Sequence, residues 1–182
     1  MPTPTGQTIT VSMVSDAVAA TIATPADGTV WSETIGKSES TWFPTPIKAD
    51  LADSKIYVGV VALQRSRSGS NPDEPDRGRT ARGLLASSHR VRIVMQGLVP
   101  ADAASRDARC RELADFFQQV QDYWTKARRT LTIRGTLTNG DPFTAEAKAY
   151  PASPVVFDTR ALGSDTVMAA TMDFDFWLTE AW

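Results

Sequence analysis

Near the end of the chain, residues 164–178 show a two-residue alternation. From Met168 onward the even-numbered residues are all apolar, whereas the odd-numbered residues are mixed in character. Side chains of a β-strand point alternately to its two faces, so every second residue shares a surface. The odd-numbered residues include two carboxylates, Asp173 and Asp175. The even-numbered residues supply a continuous apolar surface: Met168, Ala170, Met172, Phe174, Phe176 and Leu178. This pattern predicts a half-buried antiparallel strand.

A second pattern spans residues 103–127, where apolar residues recur at helical spacing: Cys110, Leu113, Phe116, Phe117, Val120, Tyr123 and Trp124. Charged residues occupy the opposite side, which is typical of an amphipathic helix with one buried face. Asp102 or Ser105 can cap its first turn. We expect this helix to lie across the apolar face of the 164–178 strand, with Phe174 and Phe176 near Phe117 and Trp124.

Shorter patterns indicate the remaining elements. A narrow apolar stripe predicts a first helix that is capped by Ser12 and ends near Thr24. Residues 150–162 read as a loop, and strands are predicted at 38–45 (centred on Trp42 and Phe43), 55–63, 84–96, 129–135 and 143–149. The order α, β, β, β, α, β, β, β predicts an α+β fold. It would have a mixed or mostly antiparallel sheet, with two helices packed on one face.

The segment 64–83 differs in kind from the strands on either side of it. It is rich in Ser, Gly, Asn, Pro and Asp, and it contains five arginines: Arg65, Arg67, Arg77, Arg79 and Arg82. Nothing in it can bury a core, so a mobile loop is expected. Strand, long basic loop and strand together predict an extended β-hairpin arm.

The length of 182 residues predicts a single domain, 1–182, with this arm attached. No apolar run approaches the roughly 20 residues of a membrane span, and the beginning of the chain shows no secretory signal pattern. Cys110 is the only cysteine, which excludes an internal disulfide and a cysteine-rich zinc site and fits a reducing compartment.

Charge is spread unevenly along the chain. The net charge of −2 argues against a general nucleic-acid binder. Residues 65–111 carry ten arginines and five acidic residues, whereas the remainder carries nine basic and sixteen acidic residues. This asymmetry indicates either complementary surfaces for self-assembly or for a charged partner, or a basic loop that is simply solvated.

Little in the sequence points to catalysis. His89, the only histidine, falls on the apolar parity of its strand and is interpreted as a core or interface residue. Cys110 lies on the apolar stripe of the long helix, which favours a structural role. Asp173 and Asp175 share a strand face, and a subunit contact or a ring lumen would use them as well as acid–base chemistry would. Phosphate-binding glycine motifs are absent, and we predict no catalytic, metal-binding or cofactor-binding residues.

The order and composition of several segments resemble the tail terminator, or tail completion, proteins of long-tailed bacteriophages. The segments are 13–21 (MVSDAVAAT), 50–53 (DLAD), 56–63 (IYVGVVAL), 89–98 (HRVRIVMQGL), 112–117 (ELADFF) and the alternating segment 164–178. The resemblance covers most of the chain and rests on pattern and order. It implies a hexameric ring that caps the head-proximal end of the tail tube, ends its polymerisation and presents a docking surface to the head–tail connector.

The resemblance also implies where the protein acts and what it contacts. It would be found at the neck end of the virion tail, and in the host cytoplasm during assembly. The arginine-rich loop would reach a neighbouring subunit or the major tail tube protein, or alternatively face DNA in the lumen; we favour the first. Arg65, Arg67, Arg77, Arg79, Arg82, Asp173 and Asp175 are the predicted interface residues. Two rival interpretations are another neck component, such as a head–tail connector, and a small α+β enzyme or ligand-binding domain.

The predicted loop gives a direct test. In the isolated subunit, trypsin should cut first at Arg67, Arg77, Arg79 or Arg82, because a segment without a core is open to proteases. Mass spectrometry of the first fragments identifies the cleavage sites. Early cleavage inside residues 103–127 would contradict this prediction, because the accessible backbone would then lie in the predicted long helix and not in the loop.

Overall fold

The computed structural model describes residues 9–25, 27–44, 51, 54–67, 84–126, 130–136, 140–158 and 166–181. The helices are α1, Val11–Ala23, and α2, Ala103–Thr125. The strands are β1, Ile35–Ser40; β2, Ile56–Arg67; β3, Leu84–Leu98; β4, Thr130–Thr136; β5, Pro142–Pro151; β6, Val156–Asp158; and β7, Val167–Ala181.

The strands form one mixed sheet in the order β1-β2-β3-β7-β5-β4, and β6 pairs with β7 beside this path. β1 runs parallel to β2, and the other pairings are antiparallel. The longest pairing joins β3 to β7 over fifteen residue pairs, from Leu84↔Ala181 to Leu98↔Val167. The predicted α+β class with a mixed sheet is therefore confirmed.

The final strand, β7, has the two faces that the sequence predicts. Its six apolar residues from Met168 to Leu178 are buried, whereas Asp173 and Asp175 are partly exposed on the other face. The ring centroid of Trp124 lies 6.5 Å from that of Phe174 and 5.4 Å from that of Phe176. The predicted contact with Trp124 is confirmed. The ring of Phe117 instead contacts Phe116 and Phe157.

Helix α2 forms where the periodicity predicts it. Asp102 caps it by accepting a hydrogen bond from the Ser105 backbone N–H at 2.9 Å, which also lowers the pKa of the Asp102 carboxyl. Its buried side chains are Leu113, Phe116, Phe117, Val120, Tyr123 and Trp124. Cys110 lies at the edge of this stripe and is half-buried. A Cβ on Gly97 of β3 would lie 2.6 Å from Leu113 Cδ2, so glycine permits the close approach of α2 to the sheet.

The cap of helix α1 lies two residues earlier than predicted. Thr10, rather than Ser12, accepts a hydrogen bond from the Met13 backbone N–H at 3.2 Å. α1 contacts both edge strands, β1 and β4, as well as β2. The sheet must therefore curl around this helix. Gly135 of β4 makes that possible, because a Cβ there would lie 2.6 Å from Met13 Cε.

The position predicted for the first strand is wrong. Residues 38–45 were expected to centre on Trp42 and Phe43, but β1 ends at Ser40 and both aromatic side chains are exposed, at 68% and 82%. The physical reason is that β1 is held by polar contacts. The Ser38 hydroxyl donates to the Ala19 carbonyl at 2.8 Å, and the Ser40 and Ser15 hydroxyls are 2.8 Å apart. Hydrophobic periodicity cannot signal such a strand.

Two predicted loops contain strand residues. Residues 156–158, expected in the 150–162 loop, form β6 and pair with residues 169–171 of β7. Residues 64–67, expected in the 64–83 loop, continue β2, because a bulge between Ala62 and Gln64 keeps the strand paired with β3. The rest of that predicted loop, 68–83, lies outside the described residues.

Truncating the aromatic residues of the buried face should unfold the protein. Phe174→Ala or Phe176→Ala should each cost roughly 3–5 kcal/mol, because burial is lost and a cavity remains beside Trp124. Denaturant unfolding followed by tryptophan fluorescence measures the loss. Asp173→Asn and Asp175→Asn are matched controls on the opposite face and should change stability by less than about 1 kcal/mol. The reverse ranking would mean that the faces of β7 are inverted.

Candidate assembly surface

Two arginines of β3 and two aspartates of β7 form a charge ladder on the solvent side of the sheet. The pairing register places Arg90 opposite Asp175 and Arg92 opposite Asp173. In each pair the arginine donates from both Nε and Nη2 to the two carboxylate oxygens, at 2.8–2.9 Å. Two parallel hydrogen bonds of this kind fix the orientation of both side chains. We call these four residues the Arg–Asp ladder.

The ladder is oriented so that its cations face solvent. The arginine side chains are 45% exposed, whereas Asp175 and Asp173 are 20% and 16% exposed. The hydrogen bonds that Arg90 donates to Asp175 raise the pKa of Arg90, and those that Arg92 donates to Asp173 raise the pKa of Arg92. Both guanidinium groups therefore stay charged. Within the described part of the chain, the Nη1 nitrogen of each arginine makes no hydrogen bond.

The solvent side of the sheet is divided into a covered half and an open half. Val94, Gln96 and Ala169 point to this side but are at most 5% exposed, so other parts of the chain cover them. Pro44 contributes to that cover, because it lies so close to Gly59 that a Cβ on Gly59 would be 2.8 Å away. The ladder lies in the open half.

Large side chains border the ladder in the open half. Trp177 and Tyr150 are 43% and 39% exposed, and Leu63 is 42% exposed. The register places Trp177 between Ser88 and Lys148, and it places Tyr150 beside Asp175. Charged groups at fixed positions thus lie next to exposed aromatic rings, which is the composition of protein–protein contact surfaces.

Of the predicted interface residues, Asp173 and Asp175 lie in this surface. Arg65 does not, because the register places it opposite the buried His89, on the other side of the sheet. Arg67 belongs to β2, but its side chain is not among those described, and Arg77, Arg79 and Arg82 lie outside the described residues. The involvement of the arginine-rich segment therefore stays a prediction.

Sequence reasoning missed Arg90 and Arg92 as partners of the aspartates. Their spacing of two residues matches that of Asp173 and Asp175. That matched spacing was the available signal. It was insufficient, because the pairing register of β3 and β7 depends on the fold and not on either strand alone.

The other potentially reactive side chains that the structure describes have structural surroundings. His89 is fully buried, and its Nε2 lies 3.2 Å from the Ser87 hydroxyl, in agreement with a core histidine. The described residues include no group of three or more His, Cys, Asp or Glu side chains arranged to hold a metal ion.

A polar cleft of about 380 Å³ follows α2 and is lined by Thr29, Asp115, Gln118, Gln119, Asp122, Tyr123 and Lys126. Asp122 in this cleft already accepts hydrogen bonds from Gln118 and Lys126.

A second ion cluster has a structural role. Arg109 of α2 donates from Nη1 and Nη2 to Glu33 at 2.6 and 2.9 Å, and it also reaches Glu112 and the Ser54 carbonyl. Its side chain is only 12% exposed. The hydrogen bonds that Arg109 donates to Glu33 raise the pKa of Arg109. This cluster joins α2 to the segment before β1 and to Ser54, which lies two residues before β2.

Comparison with protein-family models finds no match, and a search of curated proteins finds none either. In the described part of the chain, neither helix is long and apolar enough to span a membrane.

The ladder should contribute little to folding. In a double-mutant cycle with Arg90→Gln and Asp175→Asn, the coupling energy should be about 0.5–1 kcal/mol, because the pair is open to solvent. It should shrink at high salt. The pair Lys37–Glu39, 3.0 Å apart on β1, is the control, and it should give a smaller coupling because a lysine does not form the two parallel hydrogen bonds of an arginine. A coupling of about 3 kcal/mol or more would show instead that the pair is desolvated.

Proposed function

We propose that this protein is a structural virion protein of a long-tailed bacteriophage. It would form a ring that caps the head-proximal end of the tail tube and ends its polymerisation. The observation that carries this proposal is the open half of the sheet, where the Arg–Asp ladder is held rigid beside Trp177 and Tyr150. A surface with fixed charges and exposed aromatic rings is suited to contact with another protein.

The way the ladder is built supports a contact role over a stabilising one. Exposed ion pairs add little to folding stability. The same pairs hold their side chains in fixed positions, so less side-chain entropy is lost when a partner binds. Complementary charge then selects the partner and its orientation. A surface of this kind gives specificity to an assembly contact.

The resemblance to tail terminators extends the proposal beyond this surface. The protein would form a hexameric ring, with two helices on one face of the sheet and the β2–β3 hairpin extended as an arm. Its partners would be the major tail tube protein and the head–tail connector. The arginines of segment 64–83 would contact a neighbouring subunit or the tube, close to the path of DNA. The mixed α+β fold is compatible with each of these features.

Reconstitution with the tail tube protein tests the proposal. The wild-type protein should form rings that stop tube growth and give tubes of defined length. The variant Asp173→Asn with Asp175→Asn should fold normally but cap poorly, because each arginine loses its anionic partner. Electron microscopy gives the length distribution of the tubes, and thermal melting verifies the fold.

A matched control carries the same charge change away from the ladder: Asp107→Asn with Asp115→Asn, both exposed on α2. This control should cap tubes as well as the wild type does. Wild-type protein that leaves tube length unchanged would refute the terminator proposal. Binding to the connector but not to the tube would indicate a different neck component.

A further inference from the structure

The Arg–Asp ladder has a geometric property that the proposed function does not require. Both cations lie on β3 and both anions lie on β7. Arg90 is at the same level along the strands as Asp175, and Arg92 is at the same level as Asp173. Neighbouring strands are about 4.8 Å apart, and residues two apart on one strand are about 6.6 Å apart. The four charges therefore occupy the corners of a small rectangle. One long side carries the two positive charges, and the other carries the two negative charges.

This rectangle is complementary to a copy of itself. A two-fold axis parallel to the strands, placed above the line between β3 and β7, exchanges the two strands and leaves every level unchanged. The partner's Arg90 then lies over Asp175, and the partner's Arg92 lies over Asp173. Each cation faces an anion at both levels.

The other two-fold axis within the plane of the interface gives the opposite result. An axis perpendicular to the strands keeps β3 over β3 and exchanges the levels. The partner's Arg92 then lies over Arg90, and the partner's Asp173 lies over Asp175. Like charges placed opposite one another cost energy, so the ladder selects one orientation.

The residues beside the ladder fit the same orientation. The strand order β2-β3-β7-β5 means that the favoured axis also places β2 of one copy over β5 of the other. Trp177, at the level of Ser88, then lies over the partner's Ser88, so the largest side chain meets one of the smallest. Tyr150 at the level of Asp175 lies over the partner's Gln64, which pairs with Arg90.

The ladder can make these contacts without breaking its own. Each guanidinium uses Nε and Nη2 for its aspartate, which leaves the Nη1 donors for a second acceptor. Each carboxylate oxygen has two lone pairs and can accept a second hydrogen bond. Packed sheets lie roughly 10 Å apart, a separation that long arginine side chains can bridge.

From this symmetry we infer that the open half of the sheet binds a second copy of this chain, face to face, about a two-fold axis parallel to β3 and β7. Contacts about such an axis are made by the same patch on both subunits. The pairing is a property of the isolated protein and goes beyond the proposed function. Because both contacts would use the open half of the sheet, a paired subunit would have to separate before this surface could meet a tail tube. It holds or fails whether or not the chain caps a tail.

A complete charge exchange tests the inference with no other protein present. The exchanged chain carries Arg90→Asp, Arg92→Asp, Asp173→Arg and Asp175→Arg. It keeps the ladder within each subunit and remains complementary to itself. In a mixture with wild type, arginine meets arginine and aspartate meets aspartate. Mixed pairs should therefore be at least about tenfold weaker than either homodimer.

Sedimentation velocity shows whether each protein alone is a monomer or a dimer. Native mass spectrometry of mixtures gives the populations of the two homodimers and of the mixed pairs. Self-pairing of both proteins without mixed pairs supports the inference. Free mixing overturns it, and so does an exchanged chain that is folded but monomeric while wild type pairs. Wild type that is monomeric at its highest soluble concentration also overturns it.

Two controls keep the test informative. Exchange of Lys37 and Glu39 on β1 (Lys37→Glu with Glu39→Lys) should mix freely with wild type, because that pair lies away from the ladder. Circular dichroism verifies that the fully exchanged chain folds. If it does not fold, the exchange Arg92→Asp with Asp173→Arg tests one level alone, and mixed pairs should again be disfavoured.

Discussion

The antiparallel pairing of β3 with β7 is the constraint on which the rest of the molecule depends. Its fifteen residue pairs decide which side chains enter the core and which face solvent. Because strand residues alternate, a shift of one residue would expose Phe174 and Phe176 and bury Asp173 and Asp175. The core and the candidate assembly surface are therefore two results of one register. A change that moved one of them would move the other.

The parts of the fold that follow from hydrophobic periodicity could be predicted from the sequence. β7 and α2 each have a continuous apolar side, and the structure places both within three residues of expectation. β1 has no such side, since its serines bond to α1. β6 is too short to show a period. Both were missed because polar contacts and pairing with a distant strand, rather than local pattern, determine them.

The candidate surface could be predicted only in part, for a related reason. Asp173 and Asp175 follow from the alternation within one strand. Their pairing with Arg90 and Arg92 depends on a contact between residues more than eighty positions apart. Which half of the sheet stays open depends on a covering segment that includes Pro44. Such features come from tertiary packing, which one strand's pattern does not encode.

The bulge in β2 adds one residue, Leu63, that has no partner in β3, and this changes which side chains of β2 face the core. Before it, even-numbered residues such as Ala62 face the core; after it, odd-numbered Arg65 takes that side, opposite His89. If β2 instead paired with β3 without the bulge, its residues would alternate without interruption, and Arg65 would turn to solvent and Gln64 inward. Deleting the extra residue, Leu63, would remove the bulge and yet keep Arg65 opposite His89. The facing of the far half of β2 is thus set by one residue that has no partner in β3.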